Sequence, residues 1–132
     1  PGTLRIVRPD ASVFEALGLL AEFEVGALVV MDGERMAGIV SERDYTRKIA
    51  LAGKSSKDTQ VKDIMTANVI SVAPTVKTRD CLALMGQKKI RHLPVVESGK
   101  LIGLVSIGDL VKHRIEDAEQ EALLLKDYIA TA

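Results

Sequence analysis

Two short segments of the chain carry the residues whose types and spacing could do chemistry. Ser41-Glu42-Arg43-Asp44 and Ser106-Ile107-Gly108-Asp109 each place a serine three residues before an aspartate. A serine at the start of a helix presents its hydroxyl beside outward-pointing backbone N–H groups, which attract anions. A carboxylate there would repel a phosphate, but it suits a ribose diol that donates two hydrogen bonds. The alternative is a capping box, in which both side chains only close the first helical turn.

These segments belong to an internal repeat of the sequence. The four residues Gly38-Ile39-Val40-Ser41 return as Gly103-Leu104-Val105-Ser106, at an offset of 65 residues. Without any gap, the same offset pairs Val7 with Val72, Pro9 with Pro74, Leu17 with Leu82, Leu28 with Leu93 and Val30 with Val95. The chain is therefore two copies of one unit.

Each copy shows the same order of patterns, which predicts a β-α-β-β-α unit. A short extended piece ends at a proline, a helical period follows, and two apolar strands are joined at Asp32-Gly33 or at Ser98-Gly99. Ser12 and Thr78 are the expected N-caps of the first helix in each copy. The last helix of each copy is expected to open at the serine of the Ser-x-x-Asp segment.

The predicted fold class is α/β (α+β), with two pseudo-symmetric repeats packed sheet to sheet as one module. Strands that are apolar on both faces need cover on both sides, and one unit of about 60 residues has too small a core alone. A pseudo-twofold axis would then create two equivalent clefts between the copies. The expected boundaries are 1–50 for repeat one, 51–60 for a polar linker, 61–115 for repeat two and 116–132 for an amphipathic C-terminal helix.

Composition excludes several classes of protein. Of the 132 residues, 47% are hydrophobic and 27% are charged, which predicts a packed globular core and not a disordered chain. The formal net charge of zero argues against a nucleic-acid binder that relies on a positive field. No apolar run reaches the roughly 20 residues that span a bilayer. The single Cys81 fits a reducing compartment. We therefore expect a cytoplasmic protein without membrane contact.

The sequence lacks the motifs of common enzymes and metal sites. Cys81 falls on the predicted buried helix face, and His92 and His113 have no metal-ligand spacing to another Cys or His. There is no Gly-x-x-x-x-Gly-Lys loop and no Gly-x-Gly-x-x-Gly after a strand. No nucleophile is paired with a base in either copy. We expect no enzyme, no metal and no catalytic cofactor.

The whole pattern resembles a tandem pair of cystathionine-β-synthase (CBS) domains. The resemblance rests on Gly-h-h-Ser-x-x-Asp in each copy, where h is apolar, and on Arg91-His92-Leu93-Pro94-Val95-Val96 before the second hairpin. It covers roughly residues 3–115 and is strongest to small stand-alone bacterial CBS pairs. The resemblance implies a regulatory, signal-transducing module that binds adenosine derivatives in its clefts, AMP foremost and ATP, ADP, NAD or S-adenosylmethionine as alternatives. It also implies a homodimer and an effector protein as partner.

The resemblance also implies which residues form each cleft. In one cleft Asp109 would hold the ribose hydroxyls, Ser106 would contact ribose or phosphate, and Leu104 would line the adenine slot. This cleft would be completed by Thr3, Leu4, Val25, Gly26, Ala27, Arg91 and His92. In the other cleft Asp44, Ser41 and Ile39 would take the same roles, and Arg43, Asn68, Val69 and Ile90 would complete it.

The two copies differ at the position expected to contact phosphate. The offset places Gly26 and Ala27 opposite Arg91 and His92, so only the second copy has basic groups there. We therefore expect the Asp109 cleft to hold the nucleotide phosphate. The alternatives are that Arg91 is a solvated surface arginine and that His92 is a structural histidine beside an apolar strand. If the Ser-x-x-Asp segments only cap helices, the chain is a structural dimerisation or partner-interaction module without a physiological ligand.

Overall fold

The computed structural model describes residues 5–113 of the chain, and within them each copy folds around one helix and one antiparallel hairpin. The first copy consists of β1 (Ile6–Val7), α1 (Val13–Phe23), β2 (Ala27–Asp32), β3 (Arg35–Ser41) and α2 (Glu42–Tyr45), which runs on as a π-helical segment (Thr46–Ala50). The second copy consists of a 3-10 turn (Val61–Asp63), α3 (Thr78–Lys88), β4 (His92–Glu97), β5 (Lys100–Ser106) and the helical residues 107–113, here α4.

The structure reproduces the 65-residue offset at both ends of α1 and α3, of β2 and β4, and of β3 and β5. Both hairpins also carry a register shift at the same place, between Val30 and Met31 and between Val95 and Val96. The C-cap residues Glu24 and Lys89 are both left-handed, with φ of 54° and 55°. The predicted fold class, a mixed α+β arrangement of two pseudo-symmetric repeats, is confirmed.

The sheets are built from equivalent pairings in both copies. In the first copy β1 is parallel to β2, with Val7 opposite Val30. In the second copy a single parallel bridge joins Val72 to Val95, and the Val72 N–H donates to the carbonyl oxygen of Pro94 at 3.0 Å. The extended piece that ends before a proline therefore lies beside the first hairpin strand in both copies.

The second copy crosses the open edge of β3 at Thr66. The Ile39 N–H donates to the Thr66 carbonyl oxygen at 3.0 Å, and the Thr66 N–H donates back at 2.8 Å. A Cβ added to Gly38 would lie 2.5 Å from that same oxygen, whereas one added to the equivalent Gly103 would meet nothing within 4 Å. Glycine at position 38 is therefore required by the close crossing of the two backbones.

The buried side chains form two separate clusters of different size. The second cluster consists of Cys81, Met85 and Leu93. The first is larger and consists of Val7, Val13, Ala16, Leu20, Leu28, Val30, Val40, Ile49, Val61 and Ile64. Val61 and Ile64 follow the polar segment 51–60, so the chain still packs on the first copy after it. Burial, together with the nearby Asp80 carboxylate, raises the pKa of the Cys81 thiol.

The two predicted N-caps have different outcomes. Ser12 caps α1 as expected, because its side-chain oxygen accepts a hydrogen bond from the Glu15 N–H at 3.0 Å. The prediction for Thr78 is wrong, since α3 begins at that residue and its N-cap is Lys77, which makes no side-chain cap. The predicted site residues Thr3 and Leu4 and the predicted C-terminal helix 116–132 lie outside the described residues. Within residues 5–113, no helix has the length and apolar character needed to cross a bilayer.

Candidate functional site

Ser41 and Asp44 form a reciprocal capping box at the start of α2. The Asp44 N–H donates to Ser41 Oγ at 3.2 Å, and the Ser41 N–H donates to Asp44 Oδ2 at 2.9 Å. The Ser41 hydroxyl also donates to Asp44 Oδ2 at 3.0 Å. The capping alternative is therefore realised in the geometry, and it holds the carboxylate in one fixed position at the end of β3.

Lys48, which the sequence analysis did not single out, holds the other oxygen of that carboxylate. Its Nζ lies 3.2 Å from Asp44 Oδ1 and donates to the carbonyl oxygen of Ile64 at 2.7 Å. The Asp44 side chain is only 14% exposed, so this ion pair is partly shielded from solvent. The i,i+4 spacing from Asp44 to Lys48 on one helix was the available sequence signal.

Ser106 and Asp109 repeat the cap in the second copy with longer bonds. The Asp109 N–H donates to Ser106 Oγ at 3.1 Å, and the Ser106 N–H donates to Asp109 Oδ2 at 3.3 Å. Ser106 is half-buried, but Asp109 is exposed. The two segments thus share their local geometry and differ in burial.

A pocket of about 810 Å³ lies between the two copies at the Ser41–Asp44 segment. All seven residues predicted for the Asp44 cleft line it. The full lining is Gly26, Ile39, Ser41, Glu42, Arg43, Asp44, Thr46, Arg47, Lys48, Thr66, Asn68, Val69, Ile70, Lys89, Ile90, Arg91 and His92. The structure therefore brings the end of β3, α2 and the entry to β4 together around one cavity.

Arg91 and His92, which were expected in the Asp109 cleft, line the Asp44 pocket. Gly26, also assigned to the other cleft, lines the same pocket. Gly26 and His92 meet across the two copies, because a Cβ added to Gly26 would lie 3.5 Å from His92 Nε2. The Arg91 backbone also contacts the second Ser-x-x-Asp segment, since its carbonyl oxygen accepts from the Ile107 N–H at 2.8 Å. Sequence register alone does not tell which cleft a residue at the junction faces.

The other residues predicted for the Asp109 cleft are not gathered around this pocket. Val25 packs against the first core cluster, and Ala27 is buried within β2. Leu104 lies half-buried on β5, beside the cap formed by Ser106 and Asp109.

His92 occupies the contact between the copies. A Cβ added to Gly26 would lie 3.5 Å from His92 Nε2, so the imidazole packs directly over that glycine. Burial lowers the pKa of His92, and the Arg91 cation lowers it further. The carboxylates of Asp109 and Glu42 act in the opposite direction. In the free protein at neutral pH the ring is therefore mostly uncharged.

The pocket lining combines an apolar wall with basic groups. Its apolar members are Ile39, Val69, Ile70 and Ile90, and its basic members are Arg43, Arg47, Lys48, Lys89 and Arg91. Only two lining residues, Glu42 and Asp44, carry carboxylates. Such a cavity can hold a ligand with a flat apolar body and an anionic group. Residues 5–113 contain no group of three or more His, Cys, Asp or Glu arranged to hold a metal ion.

Comparison with known families decides the identity of the fold. The model of the CBS domain matches residues 4–51 and again residues 61–116. The chain belongs to the CBS-domain family. CBS-domain pairs are regulatory modules that often bind adenosine ligands, and stand-alone CBS-domain proteins are generally regulatory and not catalytic.

Individual relatives agree with this placement. The CBS pair is 42% identical over 125 residues to the mitochondrial CBS domain-containing protein CBSX3 of Arabidopsis thaliana, covering 91% of this chain and 61% of that protein. It is 33% identical over 110 residues to an inosine-5'-monophosphate dehydrogenase of Methanocaldococcus jannaschii, covering 82% of this chain but 21% of that enzyme. A solved structure of a protein with CBS domains from Burkholderia ambifaria MC40-6 matches with a TM-score of 0.84 and 53% identity, covering 87% of this chain and 85% of the other.

Proposed function

We propose that this CBS pair is a regulatory module that senses adenine nucleotides in the pocket at Asp44. The observation that carries the proposal is a single cavity, shared by both copies, that joins an apolar wall to a basic rim. A volume of about 810 Å³ suits a small molecule of nucleotide size, because ligand pockets measure roughly 300–1,000 Å³. The similarity to the Burkholderia protein, which is named as a candidate signal-transduction protein, agrees with a regulatory role.

The adenine would pack between the apolar residues of the two copies. Ile39 comes from β3 of the first copy, whereas Val69 and Ile90 come from the second. A ring held between them touches both copies at once. Such a ligand can shift the relative packing of the copies to the extent that it binds one arrangement more tightly than another.

The phosphate would be held by the arginines of the rim. Arg43, Arg47 and Arg91 approach the pocket from α2, the π-helical segment and the entry to β4. Guanidinium groups form charge-assisted, bidentate hydrogen bonds with phosphate oxygens. In the second copy the position of Arg43 is occupied by Gly108. We therefore place the phosphate of the ligand in the Asp44 pocket and not in the Asp109 cleft.

The ribose would meet an Asp44 carboxylate that is already largely engaged. A carboxylate offers about four acceptor sites, and three are taken by the Ser41 N–H, the Ser41 hydroxyl and Lys48. One site on Oδ1 is left, so Asp44 can accept from one ribose hydroxyl without breaking its cap. A second hydroxyl would have to displace Lys48 or the Ser41 hydroxyl.

A thermal-shift panel of AMP, ADP, ATP, NAD and S-adenosylmethionine tests the proposal. A ligand that binds only the native state stabilises it by RT ln(1 + [L]/Kd), about 2.7 kcal/mol at one hundred times Kd. We expect AMP to give the largest rise in Tm among the five. Asp44→Asn should reduce that rise strongly, whereas the matched variant Asp109→Asn should reduce it far less. If none of the five ligands at about 1 mM raises Tm, the nucleotide-sensing proposal is rejected.

The capping geometry favours one second candidate, a structural dimerisation or partner-interaction module. Both Ser-x-x-Asp segments close helical turns without needing a ligand. On α4, Ile107 is 39% exposed and Val111 43% exposed, and these side chains are available for contact with a second copy or an effector protein. This function would show a homodimer in sedimentation equilibrium, weakened by Ile107→Asp, together with no thermal shift by any nucleotide.

A further inference from the structure

We propose that His92 links ligand binding in the Asp44 pocket to pH, because binding of a phosphate-bearing ligand draws a proton onto its imidazole. This inference rests on the proposed function and adds that ligand binding is coupled to the protonation of His92. It makes the CBS pair respond to acidity as well as to nucleotide, and it assigns His92 a positioning and charge-supplying role in the pocket.

The position of the imidazole is the first support. His92 lines the pocket, is half-buried, and packs over Gly26 at the junction of the copies. In the strand register it lies opposite Ser106, the residue that caps the Asp109 segment. The ring therefore lies between the Asp44 pocket and the second Ser-x-x-Asp segment. A positive charge on it would interact electrostatically with groups of both.

The charged groups around the ring are the second support. Asp109 on α4 and Glu42 on α2 stabilise the protonated ring, whereas Arg91, the residue before it, destabilises that form. Burial destabilises it most, so the free pocket holds a ring that is poised to gain a proton but mostly lacks one at neutral pH. Arg43 and Lys89 share the pocket with it and add to the positive surroundings.

A bound phosphate reverses this balance. An opposite charge within about 4–6 Å of an ionisable group favours its charged form, so a phosphate on the rim raises the pKa of His92. Binding then takes up a proton, and by linkage the affinity rises as pH falls through the pKa of the bound state towards that of the free state. A ligand without phosphate gains nothing from the proton.

Isothermal titration of the full chain with ADP tests this link. Titrations at pH 6.2 in two buffers of different ionisation enthalpy measure the protons taken up, and a titration at pH 7.7 gives the change in affinity. The matched variants are His92→Gln, which keeps a polar side chain that does not titrate, and His113→Gln, which removes the other histidine of the chain. Because a nucleotide phosphate also titrates near pH 6, the readout is the difference between wild type and variant.

We expect wild type and His113→Gln to take up more protons than His92→Gln, and to gain about three- to tenfold more affinity between pH 7.7 and 6.2. Adenosine, which carries no phosphate, should show no such difference. The ring resonance of His92, identified against His113→Gln by NMR, should titrate at higher pH when ADP saturates the protein. This measurement stands even if His92→Gln does not fold.

The outcomes separate the two proposals. ADP binding with the same proton uptake and pH dependence in wild type and His92→Gln, or an unmoved His92 titration, overturns the proton link and leaves the nucleotide site standing. If ADP and AMP give no binding heat at either pH and none of the five ligands raises Tm, both proposals are overturned.

Discussion

At the scale of single residues, the two Ser-x-x-Asp segments show how one local motif acquires different surroundings. Both form caps, but only Asp44 is also held by Lys48 and faces a cavity between the copies. Asp109 is exposed, and its backbone-to-carboxylate bond of 3.3 Å is longer than the 2.9 Å bond at Asp44. The motif is therefore a cap in both places and a candidate ligand group in one.

The caps give a prediction that needs no ligand. Ser41→Ala removes an acceptor for the Asp44 N–H in a part-buried site, and we expect it to lower the free energy of unfolding by about 1–2 kcal/mol. The equivalent change Ser106→Ala lies in an exposed cap and should cost about 0.5–1 kcal/mol. Urea unfolding of the two variants beside wild type makes the comparison. A larger loss at Ser106 would contradict the assignment of the tighter cap to the first copy.

Much of the candidate site followed from the resemblance to CBS pairs, but the sharing of residues between the two clefts did not. The seven residues that the resemblance assigned to the Asp44 cleft do line one pocket. Arg91 and His92 were expected in the Asp109 cleft, and they line the Asp44 pocket. A linear pattern does not tell which side of a pseudo-twofold junction a residue faces. Lys89 lines the pocket from a left-handed C-cap, and a lysine at that position does not predict this backbone conformation, which usually favours glycine or asparagine.

At the scale of elements, the two copies act as internal controls for each other. α1 contains Gly18 where α3 has Ala83, and α3 contains Gly86 where α1 has Ala21. Both glycines lie in the middle of a helix on its exposed face, and a Cβ added to either would meet nothing within 4 Å. Because the equivalent position of the other helix holds alanine, we expect each helix to accept alanine in place of its glycine.

The helical glycines are accordingly sites of stabilisation. Gly18→Ala and Gly86→Ala should each raise the free energy of unfolding by about 0.5–1 kcal/mol, since alanine loses less backbone entropy in a helix. The control is Gly33→Ala, at a turn with φ of 62°, which should destabilise the protein because a side chain disfavours that conformation. Thermal and urea unfolding measure all three. A loss of stability at Gly18 would show that the helix packs against something at that position.

The elements themselves were largely predictable, because hydrophobic periods and the 65-residue offset reinforce each other. The strands, the second hairpin turn at Ser98-Gly99 and the helix cap at Ser12 follow from local sequence. The first hairpin turn is Gly33-Glu34 and not the predicted Asp32-Gly33, because Asp32 is the last residue of β2. The α3 cap at Lys77 and the π-helical segment Thr46–Ala50 do not follow from local sequence, since neither has a distinctive local residue pattern. Their positions depend on packing that forms only in the folded chain.

At the scale of the whole molecule, the unequal cores predict unequal stability. Within residues 5–113, ten buried side chains form the first cluster and three form the second. Hydrophobic burial is the main favourable term in folding, so buried apolar side chains stabilise the second copy less than the first. Its lining residues nevertheless supply half of the pocket wall, including Val69 and Ile90.

Amide hydrogen exchange should therefore show weaker protection in the second copy than in the first. We expect amides of β4, such as Leu93, to exchange faster than their equivalents in β2, such as Leu28, because local opening needs less free energy where fewer apolar contacts are lost. A nucleotide that binds the pocket should slow exchange in β4 more than in β2. Equal protection of the two strands would mean that the copies open only together.

The buried thiol of Cys81 has a practical consequence for anyone who labels this protein. It is the sole cysteine of the chain, and burial together with a raised pKa keeps it from forming the reactive thiolate. Reporter dyes can therefore be attached to new cysteines without first removing the native one. Arg35→Cys and Lys100→Cys would place such dyes at equivalent exposed hairpin positions, one on each copy. The distance between the dyes would then follow any movement of one copy against the other.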